Sequence, residues 1–310
     1  MRILVTGAAG FIGSNFVHYL LDGSGEYEVV SLDALTYAGD KSNLRGVLQN
    51  PNHRFVEGDI RDEELVESLV GDSDVVVNFA AESHVDRSIE SSEPFVSTNI
   101  EGVRTLLDAA KDAELDVFVQ VSTDEVYGEI PEGKFREGDP LDPRNPYAAT
   151  KASADLLAKS YKTTYGVPAV ITRSCNNFGP RQHEEKLIPK FILRSSQGES
   201  LPVYGDGSNV REWIYVKDNC RAIETVVHEA SAGEVYNIGS GEEMRNIDVT
   251  RKIIQKTDAS MDQIEFVEDR KGHDYRYSLN STKIEELGWS PEWSFDQGLT
   301  KTVNHYLNKN

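Results

Sequence analysis

The alternation of short apolar runs with longer segments of helical periodicity limits the folds open to this chain more than any other feature. The apolar runs cover residues 2–6, 28–32, 54–58, 74–80, 116–122 and 168–173. Helical periodicity occupies residues 11–21, 62–70, 93–111 and 146–165 between them. Apolar strands joined by helices favour a parallel sheet covered on both faces. We therefore predict an α/β fold with a doubly wound, Rossmann-like parallel sheet, whose site lies at the carboxyl ends of the strands.

A glycine-rich loop follows the first apolar run. Gly7, Gly10 and Gly13 form the pattern G-x-x-G-x-x-G, with Phe11 and Ile12 inside it. Glycines also make ordinary turns, but here a strand precedes the loop and a helix follows it. Such glycines permit a tight turn and a close approach of the backbone to a pyrophosphate, whose charge the helix N-terminus favours. The loop therefore predicts dinucleotide binding.

Acidic residues after the second and third runs extend this prediction. Asp33 ends the second run, 20 residues beyond Gly13, where a carboxylate accepts hydrogen bonds from ribose hydroxyls and repels a 2′-phosphate. We therefore predict NAD rather than NADP as the cofactor. Asp59 and Ile60 follow the third run, where they could meet the edge and face of the adenine. Taken alone, an aspartate in this position is more often an ordinary helix cap.

The division of the chain follows from where the alternation weakens. After about residue 174, loops containing Gly and Pro become frequent. We predict an NAD-binding domain over residues 1–174 and a mainly substrate-binding lobe over residues 175–310. The segment 210–230 still has the pattern of a strand and a helix, and we expect it to return to the first domain.

Composition excludes several classes of partner and site. The 310 residues include 52 acidic and 32 basic side chains, so the net charge is −20, which argues against nucleic acid or an anionic membrane as the main partner. The acid excess has two explanations, solubility and adaptation to high salt. The two cysteines have neither a disulfide framework nor metal-ligand spacing. No apolar stretch is long enough to span a membrane and no signal peptide is evident, so we expect a cytoplasmic protein without a metal.

Two further motifs indicate chemistry. Tyr147 and Lys151 lie four residues apart, on one face of a helix, where a lysine and a nicotinamide cation would lower the pKa of the phenol and make it a base. By itself this spacing is usually a solvated helix face. Asp124 and Glu125 directly follow the strand end at Thr123. Two neighbouring carboxylates in different surroundings can supply one acid and one base, although Asp124 could also be a turn cap.

These motifs resemble the extended short-chain dehydrogenase/reductases, which act largely on nucleotide sugars. The segments 80–88, 122–129, 174–192, 201–218 and 269–277 are closely similar to those of the dTDP-glucose 4,6-dehydratase family. The resemblance runs over residues 1–308, and its most specific element is Thr123-Asp124-Glu125, because sugar 4-epimerases usually lack the acid pair. It implies oxidation of the sugar at C4, loss of water across C5 and C6, and return of the hydride from NADH to C6.

The resemblance also assigns roles to the catalytic residues. Glu125 would remove the C5 proton, and protonated Asp124 would be the acid at the C6 oxygen. Thr123 would polarise the C4 oxygen while Tyr147, beside Lys151, takes its proton. Helices 93–111 and 146–165 carry apolar stripes, and the family commonly pairs such helices between subunits, so we expect a homodimer.

Binding residues are implied in the same way. The cofactor would contact Phe79, Ala80, Ala81, Ser83, Thr98 and Asn177. The substrate would contact Ser83, Thr123, Asn176, Lys186, Leu187, Pro202, Val203, Tyr204, Arg211, Asn246, Asp269, Arg270 and His273. Taken alone, the two asparagines could be loop amides and Lys186 a solvated lysine. Lys271 stands where the family usually has proline, and either Arg245 or Asn246 could contact the base.

Three functions remain open at this point. The sequence favours an NAD-dependent dTDP-glucose 4,6-dehydratase. A dehydratase acting on a UDP-linked sugar or a nucleotide-sugar 4-epimerase is the nearest alternative. A non-catalytic protein that senses nucleotides on the same fold is the third.

Overall fold

A computed structural model describes residues 1–23, 27–269 and 273–307 of the chain. The strands are β1 Arg2–Thr6, β2 Glu28–Asp33, β3 His53–Glu57, β4 Val75–Asn78, β5 Val117–Thr123, β6 Ala169–Ser174, β7 Asn176–Phe178, β8 Leu201–Tyr204, β9 Val210–Tyr215, β10 Val235–Ile238, β11 Glu243–Arg245 and β12 Ile264–Val267. The α-helices are α1 Phe11–Leu21, α2 Glu63–Gly71, α3 Val85–Glu90, α4 Glu93–Val96, α5 Val103–Asp112, α6 Pro146–Tyr165, α7 Leu187–Ser196, α8 Val216–Glu229, α9 Asn246–Lys256, α10 Thr282–Glu285 and α11 Phe295–Leu307. Short 3₁₀ turns cover Lys41–Leu44, Asp124–Tyr127 and Met261–Gln263, and a π-helical turn covers Ser97–Gly102.

The main sheet has seven parallel strands in the order β10-β6-β5-β4-β1-β2-β3. Alternate side chains of each strand point to opposite faces, so Ile3 and Val5 join the core beneath α1 and α8, whereas Leu4 joins the core beneath α2, α5 and α6. Both faces are therefore covered, and the predicted doubly wound fold is confirmed. The order reverses between β1 and β4, where ligands of such sheets bind.

Buried polar side chains link the three central strands. The Thr6 hydroxyl donates to Asn78 Oδ1 at 2.5 Å, and Asn78 Nδ2 donates to Gln120 Oε1 at 2.8 Å. All three side chains are fully buried. These bonds satisfy polar groups that would otherwise be costly inside an apolar sheet.

The second half of the chain adds two small sheets, β11-β9-β7 and β12-β8. Helix α8 packs against α1, and β10 forms an edge of the main sheet, so segments beyond residue 174 contribute to both regions. The domain boundary at residue 174 stays a prediction. None of the helices in the described part of the chain combines the length and the apolar composition that crossing a bilayer requires.

Candidate active site

The glycines of the loop after β1 stand where the backbone passes too close to neighbouring backbone atoms for a side chain to fit. Gly7 has a φ of +64°, and a Cβ there would lie 2.6 Å from the backbone nitrogen of Ala80. A Cβ at Gly13 would lie 2.2 Å from the carbonyl oxygen of Gly7. The N-terminus of α1 begins at Gly10 without a side-chain cap, which leaves its N–H groups for an anion. The loop thus has the form that a pyrophosphate site requires.

Asp33 is held against this loop. Its Oδ2 accepts a hydrogen bond from the Ala9 N–H and its Oδ1 accepts one from the Leu35 N–H, both at 2.8 Å. Burial raises the pKa of Asp33, while the backbone N–H groups act in the opposite direction. The carboxyl group therefore braces the loop as well as lining the cavity beside it.

Asp59 is paired in a way the sequence did not predict. Its two oxygens accept hydrogen bonds from the Arg61 guanidinium at 2.9 and 2.6 Å, and this pairing lowers the pKa of Asp59. The residue that caps α2 is Asp62, whose side chain accepts from the Leu65 N–H. The helix-cap explanation of Asp59 is therefore wrong.

One cavity of about 340 Å³ brings the two halves of the predicted site together. It is lined by the predicted residues Gly7, Gly10, Phe11, Ile12, Gly13, Asp33, Asp59, Ile60, Phe79, Ala80, Ala81, Ser83, Thr98, Tyr147, Lys151 and Lys186. Asn177 does not line it; its Nδ2 donates to the Cys175 carbonyl at 3.0 Å. The same cavity contacts the glycine loop at one place and Tyr147 and Lys151 of α6 at another, so its lining residues fit a dinucleotide.

A π-helical turn interrupts the helix predicted over residues 93–111 and places Thr98 at this cavity and Asn99 in the protein interior. Thr98 lines the cavity. Asn99 accepts from the Glu82 N–H at 2.9 Å and donates to the Glu82 carbonyl and to the Thr150 hydroxyl. Asn99 thus ties the loop after β4 to α6. Sequence analysis missed this residue because periodicity does not show one extra residue in a helical turn.

Tyr147 and Lys151 lie on one buried face of α6. The Lys151 ammonium donates to the Val121 carbonyl at 2.7 Å, and burial lowers its pKa to about 8. The pKa of Tyr147 is raised, first by burial and then by the Glu125 and Asp124 carboxyl groups, although Thr123 opposes the rise. The predicted lowering of the phenol pKa depends on a bound nicotinamide cation as well as on Lys151, so it stays a prediction. The solvated-face explanation is wrong, because Lys151 is buried.

The acid pair occupies the 3₁₀ turn directly after β5. Thr123 caps this turn: its Oγ1 accepts from the Glu125 N–H at 3.3 Å and donates to Asp124 Oδ1 at 3.1 Å. Asp124 therefore does not cap the turn. It is 2% exposed, and its Oδ2 has no hydrogen-bond partner among the described residues. Burial, followed by the Glu125 and Glu212 carboxylates, raises the pKa of Asp124 well above its usual value.

Glu125 has different surroundings. Its Oε2 accepts a hydrogen bond from Asn145 Nδ2 at 3.2 Å, and it is only partly buried. The two neighbouring carboxyl groups thus have different surroundings: Asp124 is buried with a raised pKa, whereas Glu125 is partly buried and accepts a hydrogen bond from Asn145. This arrangement can supply an acid and a base at one place.

The predicted substrate residues fall into two groups. Lys186 lies at the cavity, where its Nζ donates to the Ser83 carbonyl at 3.1 Å, so it is not a solvated surface lysine. Asn176 begins β7, and its Oδ1 is buried without a partner in the described part of the chain. Leu187 begins α7. Of the described substrate candidates, only Ser83 and Lys186 line the cavity; Thr123, Asn176, Leu187 and those on β8, β9, α9 and at residues 269 and 273 do not.

The substrate candidates on β8 and near residue 273 differ in how exposed their side chains are and in what those side chains contact. Val203 packs into the core, whereas Tyr204 is exposed and its ring meets the edge of His273. His273 in turn contacts Asp269 at 2.6 Å. Pro202 adjoins them on β8. Arg270 and Lys271 lie outside the described residues.

Arg211 is buried and engaged with the protein backbone. Its Nη2 donates to the Asp274 carbonyl at 2.9 Å, and its guanidinium lies 4.5 Å from the centre of the Tyr277 ring. It thus holds the segment before Tyr277 as well as being a predicted phosphate donor. Of the two candidate base contacts, Arg245 pairs with Asp248 at 2.7 Å, while Asn246 keeps a buried Oδ1 without a partner among the described residues.

Comparisons with known proteins agree with this geometry. The family model described as GDP-mannose 4,6 dehydratase matches residues 4–302. The low-salt glycan biosynthesis protein Agl12 of Haloferax volcanii is 67% identical over 307 residues, or 99% of each chain. DesIV, a dTDP-glucose 4,6-dehydratase of Streptomyces venezuelae solved with NAD and dTDP, has a TM-score of 0.97 at 51% identity and covers 99% of this chain and 97% of its own.

A more distant solved structure shows how general the fold is. The UDP-glucuronic acid 4-epimerase of Bacillus cereus, in complex with UDP-glucuronic acid and NAD, has a TM-score of 0.95 at 30% identity over the whole of both chains. The fold therefore does not separate an epimerase from a dehydratase. With residues 4–302 matched by the model and relatives aligned over nearly its full length, the chain belongs to the GDP-mannose 4,6 dehydratase family.

Proposed function

We propose that this chain is an NAD-dependent nucleotide-sugar 4,6-dehydratase, a hydro-lyase that converts dTDP-glucose to dTDP-4-keto-6-deoxyglucose. The observation that carries the proposal is the acid pair. Asp124 is buried with a raised pKa, and Glu125 beside it is held by Asn145, next to Tyr147. An elimination needs one acid and one base at adjacent carbons, which an epimerisation at C4 does not.

Each residue of the proposed site has a separate role in the reaction, although only Tyr147 and Lys151 of the catalytic residues line the cavity. Tyr147 takes the proton of the C4 hydroxyl, and Thr123 donates to the C4 oxygen. Glu125 removes the C5 proton, which a C4 ketone acidifies, and protonated Asp124 donates to the departing C6 hydroxyl. NAD, when bound along the glycine loop, supplies the oxidation at C4 and the final reduction at C6. Its positive nicotinamide would oppose the rise in the pKa of Tyr147 that the two carboxyl groups cause.

Two proposals concern the whole protein. We propose a homodimer, supported by Ile89, Val96 and Leu156, which are 45%, 41% and 59% exposed on α3, α4 and α6. We also propose a cytoplasmic location, supported by the sugar-nucleotide chemistry. Substrate preference for dTDP over UDP is supported by the DesIV structure, which was solved with dTDP.

An isotope experiment tests the proposed reaction. With dTDP-glucose deuterated at C4, we expect deuterium at C6 of a 4-keto-6-deoxy product, because the label passes from C4 to C6 only after water has left. Unlabelled substrate in heavy water should gain deuterium at C5. Nuclear magnetic resonance of the product reads both positions. Glu125→Gln should keep the fold and bound NAD but lose about 10²- to 10⁴-fold in rate, the usual contribution of a general base.

The outcomes separate the alternatives. Label retained at C4 of an inverted hexose would establish an epimerase. Turnover of UDP-glucose but not dTDP-glucose would reassign the nucleotide. No turnover of any dTDP-, UDP- or GDP-hexose by NAD-loaded protein would favour a nucleotide sensor, and full activity in Glu125→Gln would remove Glu125 from the role of base.

A further inference from the structure

A buried ion pair between Asp155 and Arg173 begins one helical turn after Lys151 on α6. Asp155 Oδ2 and Arg173 Nε are 2.9 Å apart, and the two side chains are 0% and 1% exposed. Neither residue lines the cavity around Tyr147 and Lys151. A buried ion pair gives little net stability, because removing two charges from water costs about as much as their attraction returns. Its position therefore calls for another explanation.

The spacing along α6 places Asp155 on the face that carries the chemistry. Tyr147, Lys151, Asp155 and Lys159 follow one another at intervals of four residues, so each lies one turn above the last. Asp155 thus stands between two lysines. Its charge is the one that raises the pKa of Lys151, against the burial that lowers it.

Arg173 in turn holds the carboxylate of Asp155. Burial raises the pKa of Asp155, and the charge and hydrogen bond of Arg173 oppose this rise. The guanidinium is fixed on its other side: its Nη1 donates to the Tyr127 hydroxyl at 2.8 Å, and it lies 4.7 Å from the centre of the Tyr127 ring. Tyr127 donates to Asn237 Oδ1 on β10 at 2.8 Å.

Only one oxygen of Asp155 is used by Arg173. Asp155 Oδ1 is buried and makes no well-formed hydrogen bond among residues 1–23, 27–269 and 273–307, although the neighbouring Ser122 hydroxyl also opposes the rise in the pKa of Asp155. A pair with a purely structural role would be expected to satisfy both oxygens, since an unsatisfied buried acceptor costs about 1–3 kcal/mol. Arg173 thus engages only one oxygen of Asp155, and the charge of the carboxylate also acts on the neighbouring Lys151.

We propose that Asp155 is a positioning residue that keeps the Lys151 ammonium charged in its buried place, and that Arg173 keeps Asp155 ionised for this purpose. The inference rests on the proposed function for the role of Lys151 beside the tyrosine. In this proposal Arg173 keeps the Asp155 carboxyl group ionised, and the Asp155 carboxylate keeps the Lys151 amine charged. Of the three residues, only Lys151 lines the cavity.

Other ionisable groups around Lys151 must be considered in any pH experiment. They are Tyr147, Asp155 and Lys159 on its own helix, Arg173 on β6, and Asp124, Glu125 and Tyr127 in the turn after β5. The π-helical turn packed on α6 contributes the uncharged Asn99. Asp124 and Glu125 act on Tyr147, whereas Asp155 acts on Lys151.

The test measures the pKa of the Lys151 amine by nuclear magnetic resonance of protein labelled with ¹³C at the lysine ε-carbons, with Lys151→Arg used for assignment. Asp155→Asn should lower this pKa by about 1 to 3 units, the usual effect of removing an opposite charge nearby. Because a lysine is charged below its pKa, the alkaline limb of the kcat profile should move to lower pH by the same amount.

Paired variants keep the test valid if Asp155→Asn folds poorly. The double variant Asp155→Asn with Arg173→Met removes both buried charges, so its melting temperature should recover relative to the single variant while the pKa of Lys151 stays low. Arg173→Met alone should give the same low pKa, because an unpaired buried carboxylate takes up a proton. Asp296→Asn removes an exposed partner of Lys252 and should change neither quantity.

A structural role would give a different pattern. If the double variant regains both its melting temperature and the wild-type pKa of Lys151, the pair only stabilises the fold and the proposal is wrong. The resonance titration requires no turnover. Wild-type protein that dehydrates no sugar nucleotide would therefore overturn the proposed function while leaving the measured effect of Asp155 on Lys151 to stand or fall separately.

Discussion

Asp124 and Glu125 are adjacent in sequence but face different surroundings, because the 3₁₀ turn after β5 directs one side chain into the protein and the other toward Asn145. Sequence analysis could predict an acid pair with two roles, since the chemistry needs both. It could not predict the raised pKa of Tyr147. That shift depends on which carboxyl groups the fold brings to the phenol, and Tyr147 lies more than 20 positions along the chain from both of them.

Asp33 allows a test of cofactor binding at the scale of one residue. Asp33→Asn should weaken NAD binding by about ten- to a hundredfold, because a hydrogen bond to a charged group contributes about 1.5–3 kcal/mol. Calorimetric titration of NAD into cofactor-free protein measures this change. The melting temperature of the cofactor-free variant is the control, since Asp33 also accepts hydrogen bonds from Ala9 and Leu35. A lower melting temperature with unchanged NAD affinity would show that Asp33 only braces the loop.

Asn145, at the start of helix α6, contributes both to the stability of the helix and to the placement of Glu125. Asn145 caps it by accepting from the Ala148 N–H at 2.9 Å, and the same side chain donates to Glu125 at 3.2 Å. Pro146 occupies the first helical position, and Gly166 ends the helix in the left-handed conformation. The cap that starts the helix thus also orients the proposed base.

Two substitutions at Asn145 separate these roles. Asn145→Ala should destabilise the protein by about 1 kcal/mol, the usual cost of losing a cap, whereas Asn145→Ser should retain most of the capping because a serine hydroxyl also accepts at this position. Both variants lose the donor to Glu125, so both should lose kcat to a similar extent. Denaturant unfolding and steady-state kinetics measure the two effects. Wild-type kcat in Asn145→Ser would mean that Asn145 serves the helix alone.

The elements themselves were largely predictable from the sequence in the first half of the chain. Six apolar runs became β1 to β6 of the main sheet, and the bounds of α1 and α6 agree with the prediction. Strand β10 was missed because its four residues, Val235–Ile238, are too few to show a period. The π-helical turn was missed because contacts of Asn99 with Glu82 and Thr150, rather than a local pattern, accompany it.

Assembly is the prediction that belongs to the whole molecule. Leu156 is 59% exposed on α6, and two further apolar residues, Ile89 and Val96, are exposed on α3 and α4, the helices that pack against α6. Leu156→Glu should convert the proposed homodimer to a monomer, because a charge in an apolar interface loses its hydration. Light scattering at micromolar concentration measures the mass. A wild-type protein with the mass of one chain would contradict the proposal, and Met261→Glu, which adds the same charge at an apolar residue 47% exposed after α9, is the matched control.

The bonds from Thr6 through Asn78 to Gln120 have a consequence for how the site is kept in alignment. Sliding β4 by a single residue would turn the Asn78 side chain toward the opposite face and break both bonds, so the three strands share one fixed register. Three parts of the site follow these strands: the glycine loop follows β1, the loop of Ser83 follows β4, and the acid pair follows β5. The buried side chains of Thr6, Asn78 and Gln120 therefore fix the position of the acid pair relative to the glycine loop, where the cofactor would bind.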